Sequence, residues 1–235
     1  MSNIKITFLG TSNAVPTEQR NHPAILLNYE GLNMLFDCGE GTQRQFRKAH
    51  LNPCKLTHIF LTHLHGDHVL GLPGLMETLA MSEYSRELKI YGPQGTKRHI
   101  QLLQEIYGRF HIKHSVQELP SRIETKDWKI ESSPMMHNIP TYAYSFVIKE
   151  KVRIDKAKLK KLKLPNSPLI GHLLQGKDIT INNKKIKAKG LTYKQPSKKV
   201  TIILDTKMNP QAIELARNAS LLVCESTYAK DEEAY

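Results

Sequence analysis

Disulfide chemistry has little to work with in this chain. Only three cysteines, Cys38, Cys54 and Cys224, occur in 235 residues, far apart and odd in number. That excludes the small stapled secreted class and points to a reducing cytosol, with each thiol acting as a small buried hydrophobe. Long apolar runs are also missing, which leaves nothing to span a bilayer. The first eight residues enter a strand almost at once, so no secretory leader is expected. No internal repeat is evident. Acidic residues are scarce beside basic ones, 22 against 34, for a net charge of +12. The expectation is a cytoplasmic protein with no membrane partner.

The length suits one large domain with an excursion, and 40% apolar residues suffice for an ordinary core. The charge is unevenly placed. From Lys149 to Lys199 there are 16 Lys or Arg against Glu150, Asp155 and Asp178, a net of +13, while the remainder carries −1. Excess this concentrated, with no apolar anchor, reads as a polyanion site.

Apolar patterning predicts strands over Lys5–Leu9, Thr57–Thr62, Glu87–Tyr91 and Thr141–Lys149. A hairpin is predicted from Ala24 to Asp37 about Glu30-Gly31. Helices are predicted from Gly41 to about His50, over Leu70–Met81 with an irregular start at Pro73, and over Thr96–Tyr107. Short strands follow near Ser115–Glu118 and Trp128–Ser132. In the basic segment, Asp155–Leu164 has too few apolar positions for a core helix, and Ile179–Ile186 reads as a polar hairpin, so the whole resembles a projecting arm. Lys199–Leu204 and Leu221–Val223 are buried strands around a helix over Asn209–Asn218, with Asn209 as N-cap and Pro210 in the first turn. Strand runs broken by helices predict stacked sheets with helices outside. Polar residues recur at strand ends, at Asp37, His63, Asp205 and Glu225.

The densest chemistry is His63-Leu64-His65-Gly66-Asp67-His68, directly after the apolar Ile59-Phe60-Leu61. In extended backbone, residues two apart share a side, so His63 and His65 converge on one ion. Gly66 lets the chain turn sharply, and Asp67 and His68 leave towards a second ion or a shared water. Imidazole and carboxylate suit Zn2+, and Mn2+ as well. On residues alone, His137 also has a structural reading, and Asp205 at a strand end also reads as a turn cap. His22, His50, His58, His99, His111, His114 and His172 read as surface or local structural residues.

The motif His63-x-His65-x-Asp67-His68 is similar to the signature of the metallo-β-lactamase superfamily. Three stretches resemble the ribonuclease Z family more narrowly, endonucleases that trim tRNA 3′ ends. They are Phe8-Leu9-Gly10-Thr11-Ser12 with Val15-Pro16 and Arg20-Asn21, the run from Phe36 through Asp37-Cys38-Gly39-Glu40-Gly41 to Gln45, and Gly71-Leu72-Pro73-Gly74. The likeness runs along the whole chain and is most specific from Ile6 to Gly74. It implies an α/β fold, the αβ/βα four-layer sandwich with metals at the sheet edges. Residues 1–148 and 200–235 would be the catalytic domain and 149–199 an inserted tRNA-binding arm. It implies two Zn2+, with His63, His65 and His137 on one, Asp67 and His68 on the other, and Asp205 bridging. It implies that Asp67 takes the proton of the attacking water and that Glu225 helps protonate the leaving group. Lys156, Lys158, Lys160, Lys161, Lys163, Lys184 and Lys185 would contact RNA. A tRNA precursor is the implied partner, and pairing as a homodimer is common in the family.

The chain departs from the family in places. Pro165-Asn166-Ser167-Pro168 stands where the arm usually carries Gly-Pro, Glu18 where many members have lysine, and Cys224 where a histidine is frequent. Family members continue with a further histidine-bearing helix start and a final Thr-His that completes the second metal. The resemblance therefore implies that a C-terminal part is missing, with a weaker second site and low activity for this chain alone. Competing readings are another hydrolase on the same scaffold, such as a small-molecule phosphodiesterase or a lactone or thioester hydrolase, and a truncated RNA-binding remnant without catalysis.

Overall fold

The computed structural model describes residues 3–120, 123–161, 170–181 and 184–227. The chain opens with β1 (Lys5–Gly10), β2 (Ala24–Tyr29) and β3 (Leu32–Phe36), an antiparallel meander. Glu30 and Gly31, with φ of 44° and 85°, make its second turn. Two positive φ angles are what a tight hairpin with right-handed twist requires. Helix α1 (Thr42–Lys48) follows. Next come β4 (His58–Phe60), the one-turn helix α2 (Gly66–Val69), α3 (Leu72–Met81), β5 (Leu88–Gly92), α4 (Thr96–Tyr107) and β6 (His114–Glu118). Strands β3, β4, β5 and β6 run parallel, so the first sheet has the order β1-β2-β3-β4-β5-β6.

A second sheet is built from β7 (Ile123–Glu124), β8 (Trp128–Met135) and β9 (Thr141–Ile148). The basic segment then contributes β10 (Lys151–Ile154), α5 (Lys156–Lys161), α6 (Ile170–Leu174), β11 (Ile179–Ile181), β12 (Lys184–Ile186) and β13 (Thr192–Gln195). The chain returns through β14 (Lys198–Ile203), α7 (Pro210–Ala216) and β15 (Leu221–Cys224). The second sheet has the order β15-β14-β9-β8-β7.

Period two explains the layers. In β2, Ile25, Leu27 and Tyr29 face the second sheet, while Ala24 and Leu26 face α1, α3 and α4. In β4, Phe60 goes inward and Ile59 outward. Both faces are covered, which is why these strands read as continuous apolar runs. Between the sheets Phe36 stacks on Phe60 at 5.2 Å, and Tyr144 and Phe146 meet them from β9. Each such side chain contributes about 1.5–3 kcal/mol by leaving water. On the far side of the second sheet, Ala212 and Leu215 of α7 cover Ala143 and Ile203. The result is helix, sheet, sheet, helix, the four-layer αβ/βα sandwich.

Residues 149–199 are more structured than their charge suggests. β10 and β13 pair antiparallel and prolong the β9–β14 pair, with Ile148 opposite Lys198 and then Lys151 opposite Gln195. Beyond this ribbon lies a small core of Leu173, Ile179, Ala188 and Leu191, against which Leu159 and Ile186 pack. Strands β10 and β13 and helix α6 escape prediction, because short polar strands paired only with each other carry weak periodicity. Pro165 to Pro168 and the Asn182-Asn183 turn lie outside the described residues.

Candidate metal centre

The ligand motif sits where β4 leaves the first sheet. Two hydrogen bonds from the second sheet hold that exit. The Tyr144 hydroxyl donates to Leu61 O at 2.5 Å, and Tyr142 N donates to Thr62 O at 2.9 Å. His65 is the extended N-cap of α2, with Asp67 in its first turn and His68 in its last. Gly66 does not have the left-handed backbone that a sharp turn would need. Its bareness leaves room instead, since a Cβ there would lie 3.1 Å from Leu70 Cδ1. Gly71 has the tighter constraint. A Cβ there would fall 2.0 Å from Gly39 O, so the chain after β3 and the chain after α2 pack backbone against backbone.

The second sheet delivers the other ligands. His137 follows β8 and Asp205 follows β14, and their loops are stitched together: Met136 N donates to Thr206 Oγ1 at 3.1 Å and Lys207 N to Met136 O at 2.8 Å. The rings of His63, His65 and His137 lie within 4.7–5.0 Å of one another, and those of His63 and His68 at 4.0 Å. His68 Nε2 is 3.4 Å from Asp67 Oδ2 and 3.5 Å from Asp205 Oδ1. Two donor sets result, His63 with His65 and His137, and His63 with His68 and Asp205, each with ligand atoms within 4.8 Å. Five of the six expected ligands fall in these sets, with His63 common to both, while Asp67 lies in neither and stands beside them at His68 Nε2.

Behind them stands Asp37, wholly buried at the end of β3. It has φ of 57°, a conformation aspartate tolerates better than most residues. Its Oδ1 accepts from Thr62 N and its Oδ2 from Thr62 Oγ1, both at 2.7 Å, and Oδ2 also accepts from His68 Nδ1 at 2.6 Å. The Thr62 hydroxyl proton is thereby committed, so His63 Nδ1, 2.9 Å from that oxygen, must be the donor. One carboxylate fixes both tautomers and turns the lone pairs of His63 Nε2 and His68 Nε2 into the site. Both Nε2 atoms are buried without a hydrogen-bond partner. An orphaned buried polar atom costs about 1–3 kcal/mol, and two side by side next to carboxylates fit a divalent cation. Imidazoles oriented through their far nitrogen by a carboxylate are the usual support of such a site. Sequence reasoning marked Asp37 only as a polar strand end. Its signal was a charged residue closing a strand buried on both faces, where an unpaired charge is rare.

Electrostatics agree. Burial pushes His63 down to about 4, with His68 adding to the effect, which keeps its imidazole neutral. Burial alone would lower His68 too, but Asp37, Asp205 and Asp67 around it raise it to about 12. Three carboxylates about one imidazole call for positive charge, which a proton on His68 or a cation at its Nε2 supplies. Asp67 is held low chiefly by His68, whose Nε2 stands 3.4 Å from its Oδ2. Burial would raise Asp205, but His68 holds it at about 2.

The remaining predicted residues lie elsewhere. Glu225 lines an adjoining cavity of about 630 Å3 together with Asp205, and its Oε2 accepts from Thr227 Oγ1 at 2.6 Å, so it stands outside the donor sets. Lys156, Lys158, Lys160 and Lys161 are exposed on α5, and Lys158 is partly engaged, donating to Gly190 O at 3.0 Å. Lys185 is exposed and pairs with Asp178 at 3.7 Å. Lys184 falls on β12, and Lys163 lies outside the described residues.

A sandwich of two sheets between helices, with histidines and aspartates gathered at one edge, defines a metallo-β-lactamase-type protein. A Bacillus subtilis metallo-β-lactamase fold protein, YhfI, has this fold, with a TM-score of 0.66, 16% identity, and coverage of 98% of this chain and 73% of that one. Human tRNase Z, short form, superposes with a TM-score of 0.65 and 26% identity over 92% of this chain and 76% of that one. Ribonuclease Z of Nanoarchaeum equitans is 38% identical over 231 residues, 97% of this chain and 73% of its own length. A sequence-family model described as Anti-Pycsar protein Apyc1 matches residues 4–161. The chain belongs to the ribonuclease Z family and, over residues 4–161, to the family that this model describes. It spans between 64% and 76% of the length of the ribonucleases Z it matches.

Proposed function

We propose that this chain is a metal-dependent endoribonuclease that removes the 3′ trailer from tRNA precursors, leaving a 3′-hydroxyl on the tRNA and a 5′-phosphate on the trailer. The observation that carries the reading is the pair of buried, unpartnered Nε2 atoms on His63 and His68, set among carboxylates in a ribonuclease Z relative. His63, His65 and His137 would hold one Zn2+, and Asp67 and His68 the other, with Asp205 between them. When bound, zinc lowers the pKa of a coordinated water from 15.7 to roughly 7 and offsets charge developing on phosphate oxygens.

The chain's own groups do the rest. Asp67, kept ionised by His68, takes the proton of the attacking water. The water oxygen bonds to phosphorus, the P–O3′ bond breaks, and the leaving 3′-oxygen gains a proton with help from Glu225. The lysines of residues 149–199 grip RNA phosphates away from the cut. The protein acts in the cytoplasm as a homodimer. Asp67→Ala is expected to abolish cleavage of a tRNA precursor while equilibrium binding of the same RNA survives. Equal loss of both would overturn the role of Asp67.

A second reading rests on residues 4–161, which match a family model under another name. That stretch holds the four ligands from the first sheet together with His137, and would serve a hydrolase of small phosphodiesters. Turnover of a tRNA precursor against that of small phosphate diesters decides between the two.

A further inference from the structure

The cleft over the donor sets, about 790 Å3, has an unexpected rim. Its floor carries His65, Asp67, His137 and Asp205, but its walls include Val15 and Leu70, 72% and 53% exposed. Two aliphatic side chains standing in water on the walls of a cleft with a charged floor are open to the apolar part of a ligand.

Neither is loosely placed. Val69, one residue before Leu70, is buried in the core. Leu70 itself turns outward across bare Gly66, between the ligands His65 and Asp67. Val15 rides on a loop tied throughout. The Ser12 hydroxyl donates to Val15 O at 2.7 Å, Val15 N to Asn13 Oδ1 at 2.9 Å, and Ser12 N to Asn21 O at 2.9 Å. His22 Nε2 donates to Ala14 O at 3.2 Å, and Asn21 Nδ2 to Glu40 O at 2.6 Å. A loop so fixed holds Val15 in the cleft mouth with its ordering cost already met before any ligand arrives. Val15 also lines the adjoining cavity that holds Glu225, so it stands on the divide between the two hollows that meet at Asp205.

We propose that Val15 and Leu70 form an aliphatic clamp for the nucleobase next to the phosphodiester that is cut. This rests on the nuclease reading above. A phosphate seated over the ligands necessarily carries a nucleoside on each side. The base is the apolar part of that substrate, and this wall is continuous with the ligand floor. No Phe, Tyr or Trp lines the cleft among the described residues. The base face is therefore met by aliphatic carbon. Every base has such a face, so the clamp serves to position the scissile phosphate.

The test uses two tRNA precursors, alike except that one is abasic at the nucleotides flanking the cut, with Zn2+ supplied. For the unaltered chain the abasic substrate is expected to raise KM about fivefold, somewhat less than loss of an aromatic stack gives, with kcat changed far less. In Val15→Ala/Leu70→Ala the KM ratio between the two substrates should collapse to about one. Val15→Ile/Leu70→Met, which keeps the aliphatic wall, should restore it. A ratio that stays near fivefold in the double alanine variant would overturn the clamp while leaving the nuclease reading intact. An unaltered chain that turns over a small phosphate diester but cleaves neither RNA would overturn the nuclease reading, and the clamp with it.

Discussion

Asp37 shows how much one buried side chain governs. It touches no ligand atom at the site, yet its two oxygens accept hydrogen bonds from Thr62 N, Thr62 Oγ1 and His68 Nδ1. Through Thr62 it also sets the tautomer of His63. Asp37→Asn keeps the shape and loses the charge, and its amide can meet His68 Nδ1 with an N–H instead of a lone pair. The imidazole would then have reason to flip its proton to Nε2, the position needed for the cation. Zinc affinity is expected to fall roughly 10–100-fold, measured by competition with a chromogenic chelator. Unchanged affinity would mean that the ligand rings are held by packing alone. Cleavage should fall in step with zinc occupancy and recover at high zinc.

At the level of the element, β4 carries the site on one end and a buried histidine on the other. His58 is packed against Phe60, Tyr91 and Trp128, with ring separations of 5.9, 6.2 and 5.8 Å. Burial, helped by Lys89, lowers its pKa from 6.5 to about 4. A base depressed in the folded state binds fewer protons there than in the unfolded chain between these two values. Stability is therefore lost as pH falls from 6.5 towards 4, by about 3 kcal/mol for this group. His58→Phe keeps an aromatic ring in the stack, and Thr57 Oγ1 still donates to Asn33 O at 3.0 Å. Urea midpoints compared at pH 7 and pH 4.5 should fall less in the variant, and equal falls would remove His58 from the account. The same strand shows what could be read from sequence. Ile59, Phe60 and Leu61 announced a strand buried on both faces, and the spacing of His63 and His65 announced their convergence, because both follow from the strand's own geometry. The approach of His137 and Asp205 could be named only through family likeness, because it depends on how β8 and β14 are registered in another sheet. Gly66 was read only as a turn, because the side chain that lies across it, Leu70, caps the far end of the helix that Gly66 itself begins.

For the whole molecule, the basic segment stands apart in both charge and packing. Its core of Leu173, Ile179, Ala188 and Leu191 is separate from the two cores that flank the first sheet. Among the described residues it is tied to the sandwich by an antiparallel ribbon that continues the pair in which Ile148 lies opposite Lys198. Chain ends so placed can be closed by a two-residue hairpin turn. Replacing residues 150–196 by Asn-Gly should therefore leave the sandwich folded. The replacement removes 13 Lys or Arg and three acidic residues, taking the net charge from +12 to +2. Each RNA phosphate that the segment neutralises adds about −0.9 to the slope of log affinity against log salt on a duplex. Binding of a tRNA precursor by the shortened chain should weaken, and its salt slope should flatten by that amount for every phosphate that is no longer neutralised. Hydrolysis of a small phosphate diester, which never reaches the segment, should continue at the rate of the intact chain. An unchanged slope would locate the RNA-binding groups on the sandwich itself, and these lysines would then serve as a solvated face.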